Sequence, residues 1–225
     1  MRNRLLTLFA LLTLPLMSLA LAATPAAAFN SAAGKPAAKK PMTVETAIAL
    51  PGGPRVALHT NMGDIVLELF PDKAPATVQN FLSYARDGHY NGTTFYRVID
   101  DLLIQAGGYT VDLQRKPTHP PIANEANHGL SNQRGTVAAA RKLTDPASAT
   151  DQFFINVVDN PRMDYVSDAN SNTWGYAVFG KVVAGMDVVD RIRAVKTHAQ
   201  GKFNDVPVTP VTIERTEELP AGAAK

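Results

Sequence analysis

A mainly β domain carrying two helices is predicted between Arg55 and Thr216, and three observations predict it. Apolar residues alternate with a period of two over most of that stretch. Two segments switch to a helical period, and turn-forming residues part the runs. The implied architecture is one antiparallel barrel or sandwich of about seven or eight strands with two helices packed on it. Periodicity alone leaves barrel and sandwich both open.

The first pair of strands, Arg55 to Thr60 and Asp64 to Phe70, flanks Asn61-Met62-Gly63. In the second of them Ile65, Leu67 and Leu69 alternate with Val66, Glu68 and Phe70, as a hairpin requires. Val78, Phe81, Leu82 and Ala85 then fall at i, i+3, i+4 and i+7, with Pro75 in the first turn and Gly88 just past the end, which predicts a helix over Pro75 to Asp87. Further strands are expected at Thr93 to Ile99, Leu102 to Ala106, Gly135 to Ala140, Gln152 to Val157, Tyr176 to Val183 and Val208 to Arg215. A second helix, Gly185 to Ala194, offers Val188, Val189 and Ile192 to a core. Between Tyr109 and Arg134 runs a loop rich in Pro, Asn and His, and loops of that length inside a domain are usually functional.

Outside these limits the composition changes. Arg2 and Arg4 precede an uncharged run from Leu5 to Leu21 that closes on Ala20-Leu21-Ala22, the pattern of a secretory signal peptide over residues 1 to 22. The competing reading is an uncleaved membrane anchor, which Thr7, Thr13, Pro15 and Ser18 weaken. A second candidate cut follows Ala28. Residues 23 to 54 are rich in Ala, Pro and Lys with few large apolar side chains, so they read as a flexible linker, and residues 217 to 225 as a loose tail. The protein is thus expected to be exported, with no membrane attachment after cleavage; the periplasm is the expected compartment and a monomer the expected state.

The formal charge of +2 belongs to the whole chain; without Arg2 and Arg4 it is 0. Setting aside residues 23 to 53, which hold Lys35, Lys39, Lys40 and Glu45, takes it to −2, and setting aside the tail with Glu217, Glu218 and Lys225 leaves −1, so the folded part is close to neutral and nucleic acid is excluded as a partner. The absence of cysteine excludes a disulfide scaffold and a thiol nucleophile. No GxSxG, HExxH, P-loop or dinucleotide fingerprint is present, and His59, His89, His119, His128 and His198 are scattered without ligand spacing, so neither metal nor cofactor is expected.

Three strands place polar groups among apolar ones. An extended Phe95 to Ile99 sets Phe95, Arg97 and Ile99 on one face and Tyr96 and Val98 on the other. Gln105 shares a face with Leu103; Gln152 shares one with Phe154, while Phe153 and Ile155 face the opposite way. Such groups either satisfy one another structurally or face a ligand groove.

The stretch FYRVIDDLLIQAGG, from Phe95 to Gly108, resembles the FHRVIPGFMIQGGD segment of the cyclophilins. DQFFINVVDN is similar to their SQFFI strand, YAVFGKVVAGMDVVDRI to the segment ending their barrel and forming its second helix, and GDIVLELFPDKAPATVQNF to their first hairpin and helix. NEANHGLSNQRGT (Asn124 to Thr136) and the export signal make the resemblance strongest to the periplasmic cyclophilins of Gram-negative bacteria. It implies a closed eight-stranded antiparallel barrel with a helix over each end, and peptidyl-prolyl cis-trans isomerase activity on proline-containing polypeptides bound in an outer groove. Carried over by position, the family's catalytic arginine is Arg97 and its glutamine Gln105. The backbone-binding edge is Ala140 and Arg141, the second glutamine Gln152, and the floor of the proline pocket Phe154 and Leu103.

Several positions depart from the family pattern. The histidine before the arginine is Tyr96, the pocket phenylalanine and methionine are Leu102 and Leu103, and the binding-edge asparagine is Arg141. The rim aromatic is Arg162, followed by Met163, and the closing histidine is Tyr176. The loss of the rim aromatic implies weak binding of cyclosporin A. Trp174 lies in a nearby loop with no assigned role. The alternative function is a periplasmic peptide-binding chaperone with little isomerase activity, its pocket reshaped by Leu102 and Arg162. A carbohydrate-binding domain is disfavoured because Trp174 is the one tryptophan and the other aromatics sit mostly at core positions.

Overall fold

The computed structural model describes residues 52–220. The predicted signal segment, the predicted linker up to Pro51 and the last five residues of the chain lie outside the described residues. In chain order the strands are β1 (Arg55–Thr60), β2 (Gly63–Leu69), β3 (Thr93–Thr94), β4 (Arg97–Ile99), β5 (Leu103–Ala106), β6 (Thr136–Ala139), β7 (Phe153–Asn156), β8 (Val178–Ala184), β9 (Thr197–Gln200), β10 (Phe203–Pro207) and β11 (Thr212–Leu219). The helices are α1 (Pro75–Arg86) and α2 (Met186–Arg193).

β1 and β2 form the expected hairpin, tightened by the Thr60 hydroxyl, which donates to the Gly63 carbonyl at 2.6 Å and accepts from the Met62 amide at 3.1 Å. The main sheet is antiparallel in the order β3-β11-β1-β2-β8-β6-β7-β5-β4. Its two outermost strands, β3 and β4, are successive pieces of one segment parted only by Phe95 and Tyr96. The sheet must therefore curl until its edges meet at that pair. With β3 and β4 taken as one interrupted strand, the nine strands become eight. The eight-stranded barrel implied by the family resemblance is thus present in outline, its closure approximate and made by the chain rather than by a β3–β4 ladder.

Inside the curl, Leu58, Ile65, Phe95, Ile104, Phe153 and Ile213 are fully buried or nearly so. Phe81 of α1 packs edge-on to Phe153 at 5.3 Å and tilted against Phe179 at 5.2 Å. Val188, Val189 and Ile192 of α2 join the same cluster. Gly185, at the start of α2, has φ 87°, and a Cβ there would lie 2.2 Å from the Asp64 carbonyl oxygen, so glycine permits the helix to sit directly on β2.

Several elements differ from expectation. The strand expected over Thr93 to Ile99 is broken at Phe95-Tyr96, so Phe95 and Arg97 do not share a face: Phe95 and Val98 both enter the interior cluster. Closure is the reason, because the segment leaves β11 on one side and joins β5 on the other. The strand expected at Val208 to Arg215 lies further on, as β11, since Pro207 and Pro210 lack the N–H a ladder needs. β11 continues through Leu219, which pairs with Arg55, so Glu217, Glu218 and Leu219 belong to the sheet rather than to a loose tail. The β9–β10 hairpin was not anticipated; β9 is wholly exposed and carries no apolar alternation.

Period-two alternation across β5, β6, β7 and β8 creates the functional surface. Ile104, Val137, Ile155 and Phe179 point inward, whereas Leu103, Ala138, Phe154 and Val178 form a second apolar cluster on the outer face.

Candidate active site

The polar half of the site is built where β4, β5 and β7 run side by side. Register pairs Arg97 with Gln105 and Gln105 with Phe154. Arg97 Nη1 donates to Gln105 Oε1 at 3.4 Å, and Gln105 Nε2 donates to Gln152 Oε1 at 3.2 Å. The Tyr96 hydroxyl joins both glutamines, donating to Gln152 Oε1 and accepting from Gln105 Nε2. Burial pushes the Tyr96 phenol far above its ordinary range, with Tyr109 next in effect, so it stays protonated and available as a donor. The break at Phe95-Tyr96 turns this side chain toward the glutamines, where its ring meets Tyr109 at 4.7 Å and Phe203 of β10 at 5.9 Å.

A groove of about 390 Å³ runs beside these residues, lined by Tyr96, Gln105, Tyr109, Arg115, Ala140, Arg141, Lys142, Ser148, Thr150 and Gln152. The outer apolar cluster adjoins it at Ala140: Leu102, Ala140, Met163 and Tyr176 pack onto Leu103, Phe154 and Val178. The Phe154 and Tyr176 rings meet edge-on at 5.5 Å. Through this register the Arg97 guanidinium and the Gln105 carboxamide share the outer face with the apolar floor of Leu103 and Phe154. That arrangement can hold a small ring while offering a charged donor and hydrogen-bonding groups to a peptide backbone.

Buried polar networks fix both halves. Asn132 and Asn156 are fully buried; Asn156 Nδ2 donates to Asn132 Oδ1 at 3.2 Å and to Thr136 Oγ1 at 2.9 Å. Asn132 Nδ2 donates to the Met163 carbonyl at 3.0 Å, and Asn160 Nδ2 to the Leu102 carbonyl at 2.9 Å, so these asparagines set the backbone positions of two pocket residues. In the groove wall, Arg115 grips the buried Asp151 carboxylate with both terminal nitrogens and His89 Nε2 lies 2.9 Å from it. Burial alone would raise the Asp151 carboxyl, but hydrogen bonds from His89 and Arg115 outweigh it and hold it below the usual carboxylate range. Gly107, with φ 104°, lets β5 approach this turn, since a Cβ there would lie 2.4 Å from the Asp151 carbonyl oxygen. Glu125, in the long loop, caps α1 from a distance: its carboxylate accepts from the Ala76 and Thr77 amides at 3.1 and 2.8 Å and from the Thr77 hydroxyl at 2.6 Å.

Of the site residues expected from the sequence, the structure brings Tyr96, Arg97, Gln105 and Gln152 into one polar cluster and Leu102, Leu103, Ala140, Phe154, Met163 and Tyr176 into one apolar cluster. Two behave differently. The Arg141 side chain turns into the surrounding loops, donating to the carbonyls of Lys142, Leu143, Ser171 and Gly175, with its guanidinium 4.7 Å from the Tyr176 ring centroid. Arg162 is exposed on a 3-10 turn beside Met163 and makes no hydrogen bond or ion pair with any described residue. Trp174 packs edge-on against Tyr165 at 5.6 Å. Sequence reasoning missed Tyr109, Arg115, Phe203 and Asp205, whose only signal was membership of a long polar loop or an exposed hairpin, and Asp151, whose signal was its place at the head of DQFFINVVDN. Among the described residues no three His, Cys, Asp or Glu side chains are grouped as metal ligands would be.

Residues 55–218 match the family model described as cyclophilin type peptidyl-prolyl cis-trans isomerase/CLD. The chain is 56% identical over 164 residues to peptidyl-prolyl cis-trans isomerase cyp18 of Streptomyces antibioticus, covering 73% of this chain and 98% of that protein. It is 54% identical over 159 residues to peptidyl-prolyl cis-trans isomerase B of Escherichia coli K12, covering 71% of this chain and 96% of that protein. The fold is similar to the crystal structure of a Cryptosporidium parvum cyclophilin type peptidyl-prolyl cis-trans isomerase, with a TM-score of 0.59 at 23% identity over 74% of this chain and 98% of that one. A structure of the Cryptosporidium protein in the presence of the dipeptide Ala-Pro aligns with the same TM-score of 0.59 over 74% of this chain and 99% of that one. A polar groove with Gln105 and Gln152 beside an outer apolar cluster, on a curled sheet with this strand order, accords with these likenesses: the chain belongs to the cyclophilin-type peptidyl-prolyl cis-trans isomerases.

Proposed function

We propose that the outer groove binds an Xaa-Pro segment of an exported polypeptide and that Arg97 is the group that speeds its rotation. Rotation about a prolyl bond breaks amide resonance, with a barrier of about 18 to 20 kcal/mol and a timescale of tens to hundreds of seconds. In the twisted state the prolyl nitrogen becomes pyramidal and gains a lone pair that a guanidinium can hydrogen-bond. The planar ground state offers almost nothing, so the interaction is made chiefly in the transition state.

Bringing the event to the millisecond range requires about 6 to 7 kcal/mol. One preorganised charged donor supplies about 3 to 4 kcal/mol. Holding the proline ring on Leu103 and Phe154 while the preceding residue turns supplies the rest. Gln105 steadies Arg97 and the substrate carbonyl, and Gln152 with the Ala140-Arg141 backbone holds the peptide main chain. The observation that carries the reading is the placement of Arg97, tied to Gln105 across β4 and β5, on the strand next but one to Phe154.

The test is a protease-coupled assay on a short Xaa-Pro peptide with wild type and Arg97→Ala. A loss of about two orders of magnitude or more in kcat/KM is expected from removing such a donor. Equal rates for the two proteins would overturn the assignment and favour the peptide-binding chaperone. The signal pattern ending at Ala22 supports a periplasmic location, checked by the N-terminal mass of the exported protein. The exposed Arg162 at the rim supports weak cyclosporin A binding.

A further inference from the structure

Among the described residues two that are not glycine have positive φ: Leu113 at 56° and Asp205 at 60°. Asp205 lies in β10, where the ladder with β9 loses register between Phe203 and Val206. Such an irregularity re-aims side chains; left-handed backbone is uncommon outside glycine, aspartate tolerates it better than most residues, and packing around it adds support. The support is present on both flanks: Phe203 packs on Tyr109 at 5.0 Å and on Tyr96 at 5.9 Å, and Val206 and Pro207 are buried. The outcome is a carboxylate carried across to β4, with Asp205 Oδ2 4.0 Å from Arg97 Nε. Gln105 Oε1 meets the same guanidinium at Nη1.

We propose that Asp205 is a positioning residue for Arg97, drawing the Nε edge of the guanidinium toward itself as an ion pair at 4.0 Å while Gln105 hydrogen-bonds Nη1, so that the Nη2 donors are left for the twisted prolyl nitrogen. The inference rests on Arg97 acting as the catalytic group. A guanidinium is a rigid planar fork, so two contacts on different edges define its plane. Without them the long side chain on a partly exposed strand samples many rotamers. Both partners are about two-fifths exposed, at 40% and 41%, so the pair adds little to folding stability. Its effect falls on the transition state, where Arg97 is used, and hence on kcat rather than KM.

Asp205→Gly is the informative variant, because glycine adopts this backbone without strain and removes the carboxylate with its Cβ. The expected result is a fall in kcat of about fivefold with KM unchanged and a thermal midpoint unchanged or raised. Asp205→Asn keeps an acceptor and tolerates left-handed backbone, so it recovers part of the loss. In an Arg97→Lys background Asp205→Gly has a smaller effect, because the fork it orients is gone. The NMR signal of the Arg97 Nε–H gives a readout independent of rate: its chemical shift moves in Asp205→Gly, where the neighbouring carboxylate is gone. A variant Asp205→Gly as fast as wild type, or one that slows both backgrounds by the same factor, overturns the role of Asp205 alone. If Arg97→Ala were as fast as wild type, the catalytic reading of Arg97 would fail and this inference with it.

Discussion

Arg115 reaches the buried carboxylate of Asp151 through both terminal nitrogens, at 2.7 and 2.8 Å, and so ties the long loop to the turn that precedes Gln152. Breaking such a pair from one side strands a buried charge, which costs several kcal/mol when both partners are inaccessible. Arg115 is partly exposed, so Arg115→Ala is expected to cost about 2 kcal/mol and lower Tm by about 5 °C. Thermal unfolding near neutral pH measures this; a Tm equal to wild type would show that His89 alone satisfies Asp151.

The same carboxylate sets a direction for pH. Its folded-state pKa is held below the usual range, net of a burial effect in the opposite direction. Its stabilising contribution is therefore fully present above the ordinary carboxylate pKa and is lost as pH falls through the depressed folded value. Asp151→Asn should flatten the acid side of the stability profile relative to wild type, while lowering stability at neutral pH. Denaturant unfolding across the acid range compares the two, and parallel profiles would remove Asp151 from the explanation.

Tyr96→Phe deletes the hydroxyl that joins Gln105 to Gln152 but leaves their direct 3.2 Å hydrogen bond. Folding stability should change by no more than about 1 kcal/mol. Looser glutamines should lower kcat/KM by about three- to tenfold, a cost in line with one or two weakened hydrogen bonds. An unchanged kcat/KM in the peptide assay would mean that the glutamine pair is ordered without Tyr96.

The α1 N-terminus has no side-chain cap of its own and depends on Glu125. Glu125→Ala should cost about 1 to 2 kcal/mol, since it removes a cap together with a favourable charge at the helix start. Activity at room temperature should be retained because Glu125 touches neither half of the groove. A Tm drop with normal kcat/KM is the expected pair of results.

Arg162→Trp puts an aromatic on the 3-10 turn beside Met163, the position proposed as the pocket rim. Affinity for cyclosporin A should rise by about tenfold, as expected for an aromatic anchor closing an apolar pocket. Fluorescence titration of wild type and variant decides it, and equal affinities would place the weakness elsewhere, at Leu102 or Tyr176.

The amino-acid sequence by itself determined which residues line each face of β5 and β7. Alternation is a local property, and Leu103 and Phe154 came out on the outer face while Ile104, Phe153 and Ile155 came out inside. It also determined both helices, whose 3.6-residue stripes and flanking Pro75 and Gly88 are local signals. The family motifs placed Arg97, Gln105 and Gln152 in advance, and the structure gathers them. Tertiary structure alone decided the break at Phe95-Tyr96, because a curled sheet must bring its edges together there and no local pattern records where. It likewise decided the partners of the site: Asp205 meets Arg97, Arg115 meets Asp151 and Glu125 meets α1 across long separations in the chain. Those side chains lie in a polar loop or an exposed hairpin, where no apolar period marks them. Their roles come from distances that exist only once the sheet has closed.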